Sequence, residues 1–223
     1  MNEIGEIKEI DENSLSSEIF LKLPTSENKI YTIVEIEGRS YAIKASEVLE
    51  IIKVVDLDYP NKMPSCVLGI IEYEQTPVGV VDLREVFDLK RVVYDLSSRI
   101  IIIKTSKGVV SIICDKVLDV KKLSKNKIHP FPYQKNTDFY DGLYINNDEN
   151  VYILNVENVF EYVNSNSEKF EKANSDKNFI VNDEKSKKVL KERKNFLLKV
   201  TEEVQVAAPL YDRGVSFIIN DVK

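Results

Sequence analysis

The chain holds few groups that could make or break bonds. His129 is the only histidine among 223 residues. A Ser-His-Asp or Cys-His couple would have to run through it, and its proline-flanked setting beside Pro130 supplies no third group to orient the ring. It reads as a surface loop histidine. Cys66 and Cys114 are the only cysteines and fit no metal-binding spacing, so they read as small apolar fillers in a reducing, cytosolic setting. Asp56 and Asp58 could chelate a cation, but with Pro60 close behind they read as a turn. Seven scattered glycines make no phosphate loop. Tyr31, Tyr41, Tyr73 and Tyr144 could stack nucleobases, yet the basic track that single-strand binding requires is missing. They read as strand tyrosines with one face buried. Carboxylate pairs arranged for acid–base hydrolysis are not visible either. No enzyme, metal or cofactor is expected; the chemistry left is binding.

Composition bounds the partners. The net charge of −6 comes from intermixed Lys, Asp and Glu, which favours solubility and argues against nucleic acid. The opening stretch MNEIGEIKEIDENS is acidic and lacks the apolar centre of a signal peptide. The longest apolar runs, such as Ile100 to Ile103, are far too short to span a bilayer, so no direct membrane insertion is expected.

Binding surfaces need a scaffold, and the scaffold is written twice. Residues 69–87, GIIEYEQTPVGVVDLREVF, return as residues 142–160, GLYINNDENVYILNVENVF, without a gap. Gly69 matches Gly142, Val81 matches Leu154, Asp82 matches Asn155, and Val86-Phe87 matches Val159-Phe160. Upstream, Val48-Leu49-Glu50-Ile51 is echoed by Val117-Leu118-Asp119-Val120. Each copy predicts a glycine for close approach, a strand, a polar turn, a second strand, and a capped short helix. Asp82 with Glu85 three residues on is a capping-box pattern, and Asn155 is also a good cap. The helices are expected over 83–87 and 156–163, the second docking Val156, Val159, Phe160 and Val163. Phe87 and Phe160 are expected as equivalent buried anchors, one per subdomain.

In chain order, residues 1–28 read as a flexible extension with one apolar patch at Ile19-Phe20-Leu21. Strands are expected at Lys29–Ile36 and Arg39–Lys44 around the tight turn Glu37-Gly38. A helical turn at 46–49 leads to a strand, and Pro60 and Pro64 punctuate a loop. Arg99–Lys104 is expected to open the second half, followed by Val109–Cys114, a strand at 117–123 and a proline-set loop at 128–133. Residues 164–184 are polar and read as a linker. Residues 185–223 read as a solvated helix, with Val189, Phe196 and Val200 as its stripe, then a strand at 215–219 without a partner.

This arrangement resembles the CheW-like chemotaxis coupling proteins over residues 29–163. The resemblance is carried by Val48, Glu50 and Ile51, Gly69, Val81-Asp82-Leu83-Arg84, Arg99 with Ile100 to Ile102, Asp115 with Val117 and Val120, the Pro130–Pro132 loop, and Gly142 with the helix after it. It implies a mainly β fold of two SH3-like five-stranded barrel subdomains with short helices, here with a helical C-terminal extension. It also implies a non-enzymatic cytoplasmic adaptor. Such an adaptor couples chemoreceptor cytoplasmic tips to the regulatory domain of a chemotaxis histidine kinase, with other CheW-like domains as further partners. The partner-binding residues expected are Val48, Glu50 and Gly69, which match the pattern, and Glu74, which does not. Family members commonly have Arg-Gly where Glu74-Gln75 stand, proline at the position of Gly79 and glycine at that of Ser111. Glu74 reverses a charge on the receptor-facing side. A rival reading follows: a structural scaffold of linked CheW-like modules with lost or altered receptor binding. The strand at 215–219 then reads as the truncated start of a second module.

Overall fold

A computed structural model describes residues 29–60, 62–131, 139–146, 149–165, 170–172, 180–181 and 183–207. The extension 1–28, with Ile19-Phe20-Leu21, and the strand expected at 215–219 lie outside the described residues, as do Pro132 and Tyr133. Strands dominate: β1 (Lys29–Ile36), β2 (Arg39–Lys44), β3 (Val48–Lys53), β4 (Lys62–Pro64), β5 (Val67–Tyr73), β6 (Thr76–Asp82), β7 (Arg99–Lys104), β8 (Val109–Cys114), β9 (Lys116–Leu123), β10 (Ile128–His129), β11 (Tyr140–Asn146), β12 (Glu149–Leu154) and β13 (Phe170–Lys172). Among the described residues the α-helices are α1 (Leu83–Val86), α2 (Val156–Ser165) and α3 (Glu184–Ala207).

The strands form two main sheets. Sheet A runs β10-β11-β12-β2-β1-β9, and sheet B runs β3-β7-β8-β6-β5. The second half therefore does not begin a separate subdomain at Arg99. Hairpin β7–β8 pairs with β3 and β6 in sheet B, while hairpin β1–β2 pairs with β9 and β12 in sheet A. The two repeats have exchanged hairpins, so each sheet is built from both. The physical reason lies in the tight turns. Glu37 (φ 53°) and Gly38 (φ 69°) close β1–β2 as a self-contained unit that can pair with either repeat.

The repeat holds in register as well as in sequence. Asp58 bridges Ile70 beside Gly69, and His129 pairs with Leu143 beside Gly142. Val80 pairs in parallel with Ser111, and Ile153 with Ala42. Small residues at 42 and 111 let each sheet close there: both are fully buried, and the Ser111 hydroxyl donates to Gly79 O at 3.0 Å. The echoed stretches β3 and β9 occupy matching edges, with a register break around Leu49 in one and Leu118 in the other.

Both faces of sheet B are buried. One face, through Val48, Val67, Val81, Ile101, Ile103 and Ile112, shares a core with Val34, Ile36, Tyr41 and Ile43 of sheet A. The other collects Ile52, Leu68, Ile71, Val78, Val80, Ile100, Ile102 and Ile113. Hence the unbroken apolar run of β7. Sheet A has a smaller core of its own around Tyr31, Ile33, Leu123, Tyr144, Val151 and Ile153. Of the four strand tyrosines, Tyr31, Tyr41 and Tyr144 are buried and Tyr73 is half-buried.

Helix caps form as their sequences predict, with one exception. Asp82 Oδ1 accepts from Arg84 N at 2.9 Å, and Asn155 Oδ1 from Asn158 N at 2.9 Å. Glu85 does not complete a capping box; its carboxylate accepts from Arg91 Nε instead. Phe87 and Phe160 are both half-buried and pack on the one core shared by the sheets, not one in each. That follows from the hairpin exchange, which brings both helices to the same seam.

The C-terminal extension is docked. β13 pairs antiparallel with β4, Ile180 bridges Tyr94, and α3 buries Ser186, Leu190 and Leu197. The expected stripe is thus displaced by one position: Phe196 is 58% exposed and Leu197 faces the protein. Leu190, Arg193 and Leu197 recur at helical spacing and out-compete the Val189 stripe because carbonyls wait beneath Arg193.

Candidate functional site

Four residues were expected at a partner surface, and the structure separates them into two pairs. Val48 is 2% exposed and faces Ile103 within the shared core. Gly69 is buried where β5 crosses residues 57–58; a Cβ there would stand 2.7 Å from Leu57 Cβ and 3.0 Å from Asp58 O. These two positions hold the fold and offer a partner no surface.

Glu50 and Glu74 do come together. Glu50 lies on β3, the edge strand of sheet B, and Glu74 is exposed in the β5–β6 turn, with Gln75 beside it. Both turn residues sit at positive φ, 48° and 62°, without a glycine. Edge strands β3 and β5 lie at opposite ends of the sheet order, yet the charge of Glu74 acts on Glu50. Half-buried Leu49 and Tyr73 pack on the same cluster at that corner. Burial pushes the Glu50 carboxyl above its ordinary range, and the charge of Glu74 pushes it further. The corner is therefore two half-buried apolar side chains flanked by two carboxylates whose charges oppose each other. Such a surface favours a partner with apolar anchors and a basic group.

His129 is exposed on β10. Burial pushes the Cys66 thiol up to about 11 and the Cys114 thiol up to about 12, so both stay protonated and unreactive. Among the described residues no three His, Cys, Asp or Glu side chains gather as metal ligands, and no helix is long and apolar enough to cross a membrane. Asp58 is taken by Lys194 at 2.7 Å.

Two features escaped the sequence reading. The first is a polar knot, buried at Arg84, Tyr94 and Asp82 and open to solvent at Asp115. Arg84 Nη2 donates to both Asp115 oxygens at 2.8 and 2.6 Å, and Nη1 donates to the Tyr94 hydroxyl at 2.7 Å. Tyr94 O–H donates to Asp82 Oδ1 at 2.7 Å, and Glu37 N–H donates to Asp115 Oδ2 at 2.9 Å. Burial raises the Asp82 carboxyl, against the opposing pull of Tyr94 and Arg84. The knot ties α1 in sheet B to the β1–β2 turn in sheet A. An arginine directly after two apolar positions and a cap was its only signal. The second feature is a run of ring contacts among Tyr41, Phe87, Phe131, Phe139, Tyr140, Tyr152 and Tyr162 along the seam between the sheets, with centroids 5.1–6.5 Å apart. These rings come from strands, loops and α2 and are brought together by the fold.

Comparison with known proteins agrees with this geometry. A search of the curated proteins gives no match. Among solved structures, the scaffolding protein TtCheW from Thermoanaerobacter tengcongensis is similar at 25% identity and a TM-score of 0.56, over 60% of this chain and 93% of that one. The family model for the CheW-like domain matches residues 31–164, more than half of the chain. The chain is a member of the CheW-like domain family.

Proposed function

We propose that the chain is a non-enzymatic adaptor of bacterial chemotaxis signalling. It couples chemoreceptor tips to the regulatory domain of a chemotaxis histidine kinase in the cytoplasm. Membership of the CheW-like family over residues 31–164 carries this reading. The similar protein from Thermoanaerobacter tengcongensis is itself a scaffolding protein. The mechanism is binding geometry. The sheet B corner presents Leu49 and Tyr73 as apolar anchors, while Glu50 and Glu74 select a receptor helix bearing a basic side chain. Val48 and Gly69 act indirectly, by fixing the strands that carry that corner.

A second reading, a scaffold of linked CheW-like modules with altered receptor binding, is favoured by one observation: Glu74 stands where the family resemblance calls for arginine. Calorimetry with a receptor-tip fragment and with a kinase regulatory domain separates the two. Binding to both supports the adaptor, binding to the kinase alone supports the scaffold, and binding to neither overturns both. Glu74→Arg should change receptor affinity and leave kinase affinity unchanged, with an effect that shrinks as salt is added. Equal effects on both partners would remove Glu74 from the receptor surface.

A further inference from the structure

The C-terminal extension lies beyond the family match and docks on one face of sheet B. α3 rests in a groove bounded by residues 54–58, residues 94–98 and β5. Its apolar anchors there are Leu190 and Leu197, with Ile180 just before the helix. The remaining contacts are polar. Arg193 Nη1 donates to Val54 O at 3.0 Å and Leu96 O at 3.2 Å, and Lys194 Nζ reaches the Asp58 carboxylate at 2.7 Å. Asp56 N–H donates to Leu190 O at 3.3 Å. The dock also carries a cost: burial and the charge of Arg99 both press the Arg193 guanidinium toward losing its proton. The helix lies outside the family match, which ends at residue 164, and the match to the Thermoanaerobacter tengcongensis protein covers 60% of this chain and 93% of that one.

We propose that this groove on sheet B is a helix-binding site and that α3 is its reversible occupant in cis. The site fits an amphipathic helix with two leucines seven positions apart and an arginine between them. The leucines fill the groove, and the arginine donates to two backbone carbonyls. Because Leu57 and Asp58 lie under Gly69, a helix seated there also buttresses the crossing that the packing glycine makes possible. The site stands whether or not the chain serves as a chemotaxis adaptor, because the contacts are within this protein.

Two measurements on the full chain test it. A fluorescent peptide of residues 183–207 is titrated into the wild type and into a Leu190→Glu, Leu197→Glu double variant, whose own helix is released. The released variant should bind the peptide at least tenfold more tightly than the wild type, and a peptide carrying the same two glutamates should not bind. Equal binding by both chains, or none by a folded double variant, overturns the proposal. Should the double variant fail to fold, hydrogen exchange on the wild type decides. Amides of α3 should exchange at least tenfold faster than those of β6 and β8, showing that the helix leaves while the sheet stays closed. Exchange of helix and sheet at one common rate would make α3 an integral part of the fold and overturn the site.

Discussion

Arg84 and Glu157 stand at the same place in the two copies of the repeat, two residues after the helix cap. Arg84 is 3% exposed and draws buried Tyr94, part-exposed Asp115 and the β1–β2 turn into one knot. Glu157 sits at the surface and accepts from Ser106 N at 2.6 Å and Ser106 Oγ at 2.9 Å, tying α2 to the β7–β8 turn. Each helix thus reaches across the seam to the exchanged hairpin of the other sheet, one with a buried cation and one with an exposed anion. Duplication preserved the task of joining the sheets and left the chemistry free to diverge.

That difference sets the largest expected effect. Arg84→Ala leaves the Tyr94 hydroxyl and the part-exposed Asp115 carboxylate without their donor, so it should cost about 3 kcal/mol, the low end of the scale for breaking a buried pair. Glu157→Ala should cost about 1 kcal/mol or less, because its bonds are exposed to water. Urea unfolding of both variants checks the contrast. Similar losses would mean that the two cross-seam ties are energetically alike, against their burial.

Gly69 and Gly142 should behave alike where Arg84 and Glu157 differ. A Cβ on Gly142 would stand 2.7 Å from His129 O and 2.9 Å from Ile128 Cγ2, matching the crowding at Gly69. Gly69→Ala and Gly142→Ala should each cost about 1–3 kcal/mol by overpacking. Thermal melts in which one alanine is silent would show that only one crossing still enforces its glycine.

These glycines were legible in the sequence because a gap-free repeat marks backbone geometry. So were both hairpin strands and both caps, since local pattern decides them. The echo between β3 and β9 also pointed to matching edges. Partnering between sheets was not legible. Nothing in the run Arg99 to Lys104 says whether it closes on the strands before it or after it; tight turns make each hairpin self-contained, and the shared core selects its partner strands. For the same reason Val48 looked like a surface position: its motif is visible, but its burial against Ile103 is a product of pairing. Leu197 was missed in favour of Phe196 because a 24-residue helix with mixed charges carries two plausible stripes, and only the groove beneath selects one.

The smallest effects belong to the corners where each sheet's outer edge strand meets its closing hairpin. In sheet A, Lys121 on β9 pairs with Glu149 at the start of β12, an attraction. In sheet B, Glu50 on β3 meets the charge of Glu74, a repulsion. Neutralising each corner should therefore move stability in opposite directions. Lys121→Gln should lose about 0.2–1 kcal/mol, the range of partly exposed ion pairs. Glu50→Gln should gain a few tenths of a kcal/mol, with solvent screening keeping it small. Its pH dependence follows from the raised carboxyl: the folded state holds the Glu50 proton more tightly than the unfolded state does. Wild-type stability from this group is then fullest below the unfolded pKa and falls as pH rises through the folded one. The glutamine variant does not titrate, so its advantage should be absent in acid and appear across the carboxylate range toward neutrality. Molar salt should shrink the effects at both corners. A Glu50→Gln advantage that persists unchanged in acid would trace to packing of Leu49 and Tyr73 and leave the carboxylates at the corner without an energetic role in the free protein.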